Sequence, residues 1–131
     1  MNKRIIVADK APKAIGPYSQ AVEANGFVFL SGQIPLDPAN GQIVPGGVQE
    51  QAEQVIANIK AILEAAGCSL KNVVKASCFL QDLNDFKAFN EVYSRHFTEN
   101  CPARSTFQVA KLPLAALCEI EVIAVKPNSP V

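Results

Sequence analysis

Two carboxylates interrupt an apolar segment near the C-terminus of the chain. Cys118–Val125 is rich in β-branched and aliphatic residues, which predicts a β-strand, yet it contains Glu119 and Glu121. Arg104 lies in a second segment that is also predicted to be a strand. An ionised side chain is costly to bury unless a partner compensates it. These three charges therefore either face water or form a site.

The composition is that of a globular protein of low charge. The chain has 131 residues, the length of one domain (1–131), and 49% of them are apolar whereas 18% are charged. The formal net charge is zero, and the Lys and Arg residues are scattered along the chain. Proteins that bind nucleic acid or an anionic membrane surface by charge carry a basic patch, so we expect neither partner.

Neither a targeting segment nor a metal site is predicted. The N-terminus lacks the apolar run of a signal peptide, and no segment has the length and hydropathy of a transmembrane helix. The four cysteines show no C-x-x-C spacing and His96 is the single histidine, which argues against a zinc site. Cysteines in apolar surroundings are typical of reduced thiols, so we expect a cytoplasmic protein.

An Asn-Gly pair gives the strongest local signal for a hairpin. Asn25-Gly26 separates two predicted strands, Tyr18–Ala24 and Phe27–Ser31, and both turn residues accept the positive φ of a type I′ turn. Gly32 follows the second strand. A glycine at this place either forms a bulge or turn, or lets the backbone approach a ligand closely.

The remaining pattern predicts two helices and four further strands. Apolar residues recur every three or four positions in Val48–Ala66, and Gly67 is a natural helix stop. A second helix begins at Asp82 or Asn84 and ends near Phe97. The other predicted strands are Arg4–Val7, Val73–Leu80, Arg104–Ala110 and Cys118–Val125, and a short strand is considered for Gln42–Val44.

This order of elements, β-β-β-α-β-α-β-β, predicts an α+β fold. We expect a six-stranded, mostly antiparallel sheet with two helices on one face. Two helices leave the other face uncovered, and the strands are too apolar for that face to remain in water. We therefore expect an oligomer that packs this face or its edges against copies of itself. The tail after Val125 is expected to be mobile.

Arg104 and Glu119 are not expected to meet within one chain. If strands 104–110 and 118–125 pair as a hairpin, the two residues lie about five positions apart along the ladder, roughly 17 Å at the rise of a strand. A site that uses both residues would then form across a subunit interface. This geometry requires the two strands to be neighbours in the sheet.

Two polar positions have both a structural and a functional interpretation. Asn90 lies in the apolar stripe of the second helix, where it either ties down a loop or reaches a ligand pocket. Arg104 shares one strand face with Thr106 and Gln108. Its guanidinium either pairs with a structural Glu or binds the carboxylate of a ligand.

The carboxylates of the last strand leave a similar choice. Glu119 and Glu121 share a face, and they either line a solvated strand edge or supply a general base that holds water. The sequence contains no nucleophile elbow, phosphate-binding loop or dinucleotide fingerprint. His96, beside Arg95 near a helix end, is interpreted as a solvated side chain rather than as part of a triad.

Six short motifs along the chain are similar to those of a known family, and the resemblance extends over nearly the whole chain. They are Ala14–Gln20, Ser31–Pro35, Asp82–Phe86, Pro102–Ser105, Val109–Pro113 and Cys118–Glu121. With these motifs the chain resembles the RidA family, the reactive intermediate/imine deaminases.

The resemblance implies a chorismate-mutase-like fold and a homotrimer with its sites in the clefts between subunits. It implies hydrolysis of 2-imino acids, or of enamine tautomers such as 2-aminoacrylate, to 2-oxo acids and ammonia. Pyridoxal-phosphate enzymes such as serine/threonine dehydratases supply these compounds. The resemblance also implies that no cofactor is required.

Residue by residue, the resemblance assigns Arg104 to the substrate carboxylate and Glu119 to the hydrolytic water. Thr106 replaces the Cys that is common in the bacterial archetype, so a thiol is not essential here if the protein is active, although the backbone at this position can still hold substrate. The other positions that match the lining of the cleft are Tyr18, Ser31, Gly32 and Asn90.

Other functions remain as alternatives. A non-catalytic sensor of small carboxylates such as 2-oxobutanoate would need Arg104 and the cleft but would not release ammonia faster. Ribonuclease or chaperone-like action is less favoured, because the sequence contains no basic face for RNA.

Overall fold

The computed structural model describes residues 2–127, and the tail from residue 128 onward, for which mobility is predicted, lies outside the described residues. Short 3₁₀ turns occupy Leu70–Asn72, Leu83–Asp85 and Pro113–Ala115. The helices are α1 (Val48–Ala65) and α2 (Phe86–His96). The strands are β1 (Arg4–Ile6), β2 (Ala21–Ala24), β3 (Phe27–Leu30), β4 (Val73–Leu80), β5 (Ala103–Gln108) and β6 (Cys118–Val125).

The six strands form one mixed sheet in the order β1-β2-β3-β6-β4-β5. Every pairing is antiparallel except that of β4 with β5. The connection from β4 to β5 contains α2, and a helical crossover is the usual way to join parallel neighbours. The prediction of an α+β fold with six strands and two helices is confirmed.

The hairpin of strands 104–110 and 118–125, which the estimated separation of Arg104 and Glu119 assumed, does not form. β4 lies between β5 and β6 and pairs with both, parallel with β5 and antiparallel with β6. Strands that follow each other in sequence are neighbours in the sheet only about two-thirds of the time. Here the crossover through α2 places β5 at the edge of the sheet. Arg104 and Glu119 are therefore separated by the intervening strand β4 and not by their positions along a shared hairpin.

The hairpin of β2 and β3 turns at Asn25 and Gly26, whose φ angles are 52° and 79°, as the sequence predicts. β2 is shorter than expected and begins at Ala21. The residue before it, Gln20, is buried, and its side chain bonds the backbone N–H and carbonyl of Ala8 at 2.7 and 3.1 Å. This contact fixes the N-terminal loop beside the start of β2.

Both helices pack on one face of the sheet. Alternate residues of β4 and β6 point toward the helices and are buried, namely Ala76, Cys78, Leu80, Cys118, Ile120, Val122 and Ala124. They meet the apolar stripe of α1, on which the seven residues predicted from the spacing are all buried: Ala52, Val55, Ile56, Ile59, Ile62, Leu63 and Ala66. α2 adds Phe89 and Val92 to the same core.

Two buried polar residues of α1 position loops at the edge of this core. The Oε1 atom of Gln51 accepts a hydrogen bond of 2.8 Å from the backbone of Leu117, immediately before β6. The Nδ2 atom of Asn58 donates 3.0 Å to the carbonyl of Leu36. The helix therefore fixes the loop that contains Leu36 and the segment that leads into β6. Each of the two buried amides has a hydrogen-bond partner.

The opposite face of the sheet is not covered within one chain. Several large apolar side chains on this face are exposed, namely Ile5, Phe27, Phe29, Phe107 and Val125. Exposed apolar surface of this kind marks an interaction site. The face has the apolar character that the sequence predicts, and its burial against another copy stays a prediction.

Within residues 2–127, no helix combines the length and the hydropathy that a bilayer-spanning helix needs. The same part of the chain contains no group of three or more His, Cys, Asp or Glu side chains arranged to hold a metal ion. Cys68, Cys78, Cys101 and Cys118 are all free thiols.

Candidate active site

Arg104 is held by side chains of α2. It lies on the helix-facing side of β5, in register with the buried Ala76 of β4. Its Nη1 atom donates a hydrogen bond of 2.8 Å to Oδ1 of Asn90. Its guanidinium carbon is 4.5 Å from the ring centre of Tyr93 and 5.6 Å from that of Phe86. Cation–π attraction and the hydrogen bond together fix the orientation of the guanidinium.

No carboxylate within residues 2–127 forms an ion pair with Arg104. Arg104 is therefore not half of a structural salt bridge within the described part of the chain. A guanidinium has five N–H donors, and the bond to Asn90 uses one of them. The others are available to a planar anion such as a carboxylate.

The groups around Arg104 are not suited to act as bases. Cys78 is fully buried, and burial raises the pKa of its thiol to about 11. Burial likewise raises the pKa of Tyr93 to about 12. Among the described residues, the buried hydroxyls of Tyr93 and Thr106 have no hydrogen-bond partner. The Cys78 thiol and the Tyr93 hydroxyl therefore stay protonated at neutral pH, and this region is suited to hold an anion rather than to abstract a proton.

Glu119 and Glu121 line a different region, a cleft of about 940 Å³. Tyr18, Ser31 and Gly32 lie along the same cleft. Both carboxylates point to the uncovered side of β6, as the alternation predicts, and Glu119 is the more buried of the two. The sequence left open which carboxylate faces a cleft, and in the structure both do.

Burial raises the pKa of Glu119, and the nearby negative charge of Glu121 raises it further. A carboxylate whose charged form is destabilised in this way is a stronger base than a solvated one. Its position in an open cleft gives water access to it. Glu119 is therefore the residue of this region that is suited to take a proton from water.

Gly32 allows the side chain of Glu119 to reach its position. A Cβ atom built on Gly32 would lie much closer to Oε2 of Glu119 than van der Waals contact allows, and 3.0 Å from its Cδ. The next residue, Gln33, exchanges backbone hydrogen bonds of 2.8 and 3.1 Å with Ile120, which holds the two segments side by side. Gly32 thus allows a close approach, but the group that approaches it is Glu119 of the same chain.

Ser31 and Tyr18 connect the N-terminal loop to the cleft. The hydroxyl of Ser31 donates 2.6 Å to the carbonyl of Ser19, and its backbone N–H donates 2.9 Å to the carbonyl of Gln20. The Ser31 side chain is therefore committed to holding this loop. Tyr18 is exposed, and its ring lies at the cleft with only a long contact of 3.5 Å from the backbone of Ile15 to its hydroxyl.

The two groups of residues do not meet within one chain. Arg104 is in register with Ala76, Glu119 is opposite Phe79, and β4 lies between their strands. From the spacing and rise of strands, their Cα atoms are about 14 Å apart. Their side chains also leave opposite faces of the sheet, because Ala76 points toward the helices and Phe79 away from them. The chain therefore presents Arg104 and Glu119 on separate surfaces.

Tyr93 and Phe86 belong to the apolar stripe of the second helix, and the sequence did not predict their contact with Arg104. A signal was present, because Phe86, Asn90 and Tyr93 have the spacing of one helical stripe. A strand Arg that faces such a stripe can stack on its rings. The parallel pairing that brings β5 beneath α2 was not predicted, and without it the partner of the stripe could not be named.

A comparison with known protein families gives one match over almost the whole chain. Residues 8–126 match the family described as Endoribonuclease L-PSP, which is the RidA family. The chain belongs to the RidA family.

Curated members of the RidA family align with the protein from end to end. A RutC family protein of Pyrococcus abyssi is 55% identical over 96% of this chain and 99% of its own length. The 2-iminobutanoate/2-iminopropanoate deaminase of the goat, Capra hircus, is 55% identical over 95% of this chain and 90% of its own length. Among solved structures, E. coli TdcF with bound serine superposes with a TM-score of 0.90 at 48% identity, covering 95% of this chain and 99% of TdcF.

Proposed function

We propose that the protein hydrolyses small 2-imino acids and their enamine tautomers, such as 2-aminoacrylate and 2-iminobutanoate, to 2-oxo acids and ammonia. The observation that carries the proposal is an oriented Arg104 that forms no ion pair with a carboxylate of residues 2–127, together with Glu119, whose pKa is raised, in an open cleft. A relative at 55% identity is named a 2-iminobutanoate/2-iminopropanoate deaminase. The reaction requires a water molecule and proton transfers, and no oxidant, reductant or cofactor takes part.

In this proposal Arg104 binds the carboxylate of the imino acid. Asn90 occupies one guanidinium edge and the rings of Tyr93 and Phe86 support its face, so little side-chain freedom is lost when substrate binds. The backbone near Thr106 lies beside this anion site on the same strand. Because residue 106 is a threonine, the proposed reaction proceeds without a thiol at this position.

Glu119 activates the water in this proposal. It accepts a proton as the water oxygen attacks the C=N carbon, which gives a carbinolamine. The proton that Glu119 takes is given to the nitrogen, which completes the neutral carbinolamine. The carbinolamine hydroxyl then loses its proton and the amino nitrogen gains one, so that the C–N bond breaks, ammonia leaves and the carbon–oxygen bond becomes the carbonyl of the 2-oxo acid. One water is consumed for each imine, and the proton that Glu119 takes is returned to nitrogen.

The proposed enzyme is a homotrimer of the chorismate-mutase-like type, in which Arg104 of one subunit and Glu119 of another form each site. The separation of the two residues within one chain supports this arrangement, as do the exposed Phe27, Phe29 and Phe107 on the uncovered sheet face. Its free cysteines fit a cytoplasmic enzyme that removes reactive enamines released by dehydratases.

Mixing two inactive variants tests the shared site. Arg104→Ala and Glu119→Gln are each expected to abolish turnover in an assay coupled to serine/threonine dehydratase, which follows 2-oxo acid formation. If each site draws the two residues from different subunits, trimers assembled from a mixture of both variants regain about one quarter of the sites. If both residues came from one chain, no mixture would recover activity, and the shared site would be refuted.

The same assay separates the alternatives. Arg95→Ala is a suitable control, because Arg95 is exposed and its polar contacts are an ion pair of 3.7 Å with Glu53 and a long hydrogen bond of 3.4 Å to the carbonyl of Glu91. A protein that binds 2-oxobutanoate but leaves the rate of 2-oxo acid formation unchanged would be a sensor instead. Cleavage of RNA that Arg104→Ala abolishes would support a ribonuclease, which the zero net charge and the acidic cleft do not favour. Full activity of Arg104→Ala would contradict the assignment of the site.

A further inference from the structure

The cleft beside Glu119 has an apolar wall that the proposed hydrolysis does not itself require. Ile15 and Leu114 line this cleft and are 82% and 63% exposed, the highest values among the large apolar side chains of the cleft. Ile34, Leu36 and Pro113 extend the same wall. Water activation by a carboxylate needs none of these side chains, so their concentration here needs another explanation.

Leu114 is held in a backbone conformation that leucine rarely adopts. Its φ and ψ are 55° and 28°, and the following Ala115 also has a positive φ of 58°. Glycine or asparagine is expected at such positions, because a Cβ atom clashes with the backbone in the left-handed region. The chain keeps a bulky side chain at a place where glycine would relieve strain.

The turn that carries Leu114 is fixed at both ends. Its N-terminal end is Pro113, and the backbone N–H of Ala116 donates 3.0 Å to the Pro113 carbonyl. Ala116 is fully buried, and the backbone of Leu117 is bonded to Gln51 of α1. The turn is therefore firmly placed, and the side chain of Leu114 is presented to the cleft rather than to the core.

We propose that Leu114, together with Ile15, forms a subsite for the side chain of the imino acid and gives the enzyme a preference for longer aliphatic substrates. This inference rests on the proposed function and adds to it a preference among substrates. The carbon skeleton of 2-iminopropanoate ends in a methyl group, which is too short to cover such a wall. Unbranched or branched side chains of three or four carbons fill it and bury apolar surface.

The test is the catalytic efficiency of a substrate series. Imino acids are generated in situ by an amino acid oxidase from alanine, 2-aminobutyrate, norvaline and leucine, and their hydrolysis is followed by the loss of imine that semicarbazide can trap. We expect kcat/KM of the wild-type protein to rise about fourfold for each CH₂ that the subsite buries. In Leu114→Ala the values for the norvaline and leucine products fall about tenfold, whereas that for 2-iminopropanoate changes less than about twofold.

Glycine variants separate the role of the side chain from that of the backbone. Leu114→Gly relieves strain and removes the side chain, so it is expected to raise the melting temperature and abolish the preference. Ala115→Gly relieves the same kind of strain but leaves Leu114 in place, so it raises the melting temperature and keeps the preference. If Leu114 affected only the conformation of the turn, both variants would change the substrate preference in the same way, and the subsite would be refuted.

The outcomes distinguish this inference from the proposed function. Turnover with a flat substrate profile in the wild-type protein, or a profile that Leu114→Ala leaves unchanged, would overturn the subsite and leave the deaminase proposal standing. Absence of turnover with every imino acid would overturn both.

Discussion

A side chain at Gly32 would collide with the carboxylate of Glu119. The collision involves Oε2 and Cδ, the functional end of the residue, while the backbone of the two segments is fixed by the hydrogen bonds of Gln33 with Ile120. Glu119 therefore depends on the absence of a Cβ atom on the neighbouring segment. This contact explains why a glycine follows β3, and it leads to a direct test.

Gly32→Ala is expected to lower kcat at least about tenfold while the protein stays folded, because the carboxylate must move away from the reacting water. Gly32 does not have a positive φ, so alanine fits its backbone. The matched control is Gly26→Ala, at a φ of 79° with open space around it. That variant is expected to lose about 1 kcal/mol of unfolding free energy and keep its activity. Unchanged kcat in Gly32→Ala would contradict the role of Glu119.

Asn90 is expected to orient Arg104 for substrate binding. Asn90→Ala removes the 2.8 Å hydrogen bond to Nη1 and should raise KM about tenfold with a smaller effect on kcat. Asn90→Asp places a carboxylate against the guanidinium, so it should compete with the substrate and raise KM further while increasing thermal stability. Steady-state kinetics and thermal unfolding of both variants provide the check. A KM of Asn90→Asp equal to that of the wild type would rule out anion binding by Arg104.

The pH dependence of kcat/KM should report the raised pKa of Glu119. If the ionised carboxylate is the base, activity rises with pH through an apparent pKa above the ordinary value of 4.5. Glu121→Gln removes a charge that raises this pKa, so its rising limb should move to lower pH while activity is kept. A limb that does not move would show that Glu119 is not the group that titrates.

The same raised pKa has a consequence for stability. In the unfolded chain Glu119 releases its proton at a lower pH than in the folded protein, so between the two pKa values the folded state binds more protons. The contribution of Glu119 to the free energy of unfolding is therefore greatest below the ordinary pKa of a glutamate. It is lost as the pH rises through the pKa that Glu119 has in the folded protein. Glu119→Gln should reduce this decline, which denaturant unfolding at a series of pH values measures.

Thr106→Val should leave activity intact. The hydroxyl of Thr106 is buried and has no partner among the described residues, and a buried hydroxyl without a hydrogen bond is unfavourable. Valine has the same shape, so we expect the free energy of unfolding to be unchanged or to increase by about 1 kcal/mol. Thr106→Cys, the residue of the bacterial archetype, is the companion variant. Loss of turnover in a folded Thr106→Val would assign the hydroxyl a part in catalysis.

The sequence by itself determined the local structure. The Asn25-Gly26 turn, the apolar stripe of α1 and the alternation along β6 are set by backbone preferences and by spacing, which act over a few residues. The six motifs also identified the RidA family, which the family comparison confirms.

Only the tertiary structure decided which elements are neighbours. β5 pairs in parallel with β4 because α2 connects them, and pairing between distant segments depends on how the whole chain packs rather than on any local pattern. That pairing placed Arg104 against Asn90 and Tyr93, and the packing of residues 32–33 beside β6 placed Gly32 against Glu119. The contacts of the candidate site are long-range, and for this reason the sequence named the residues but not their partners.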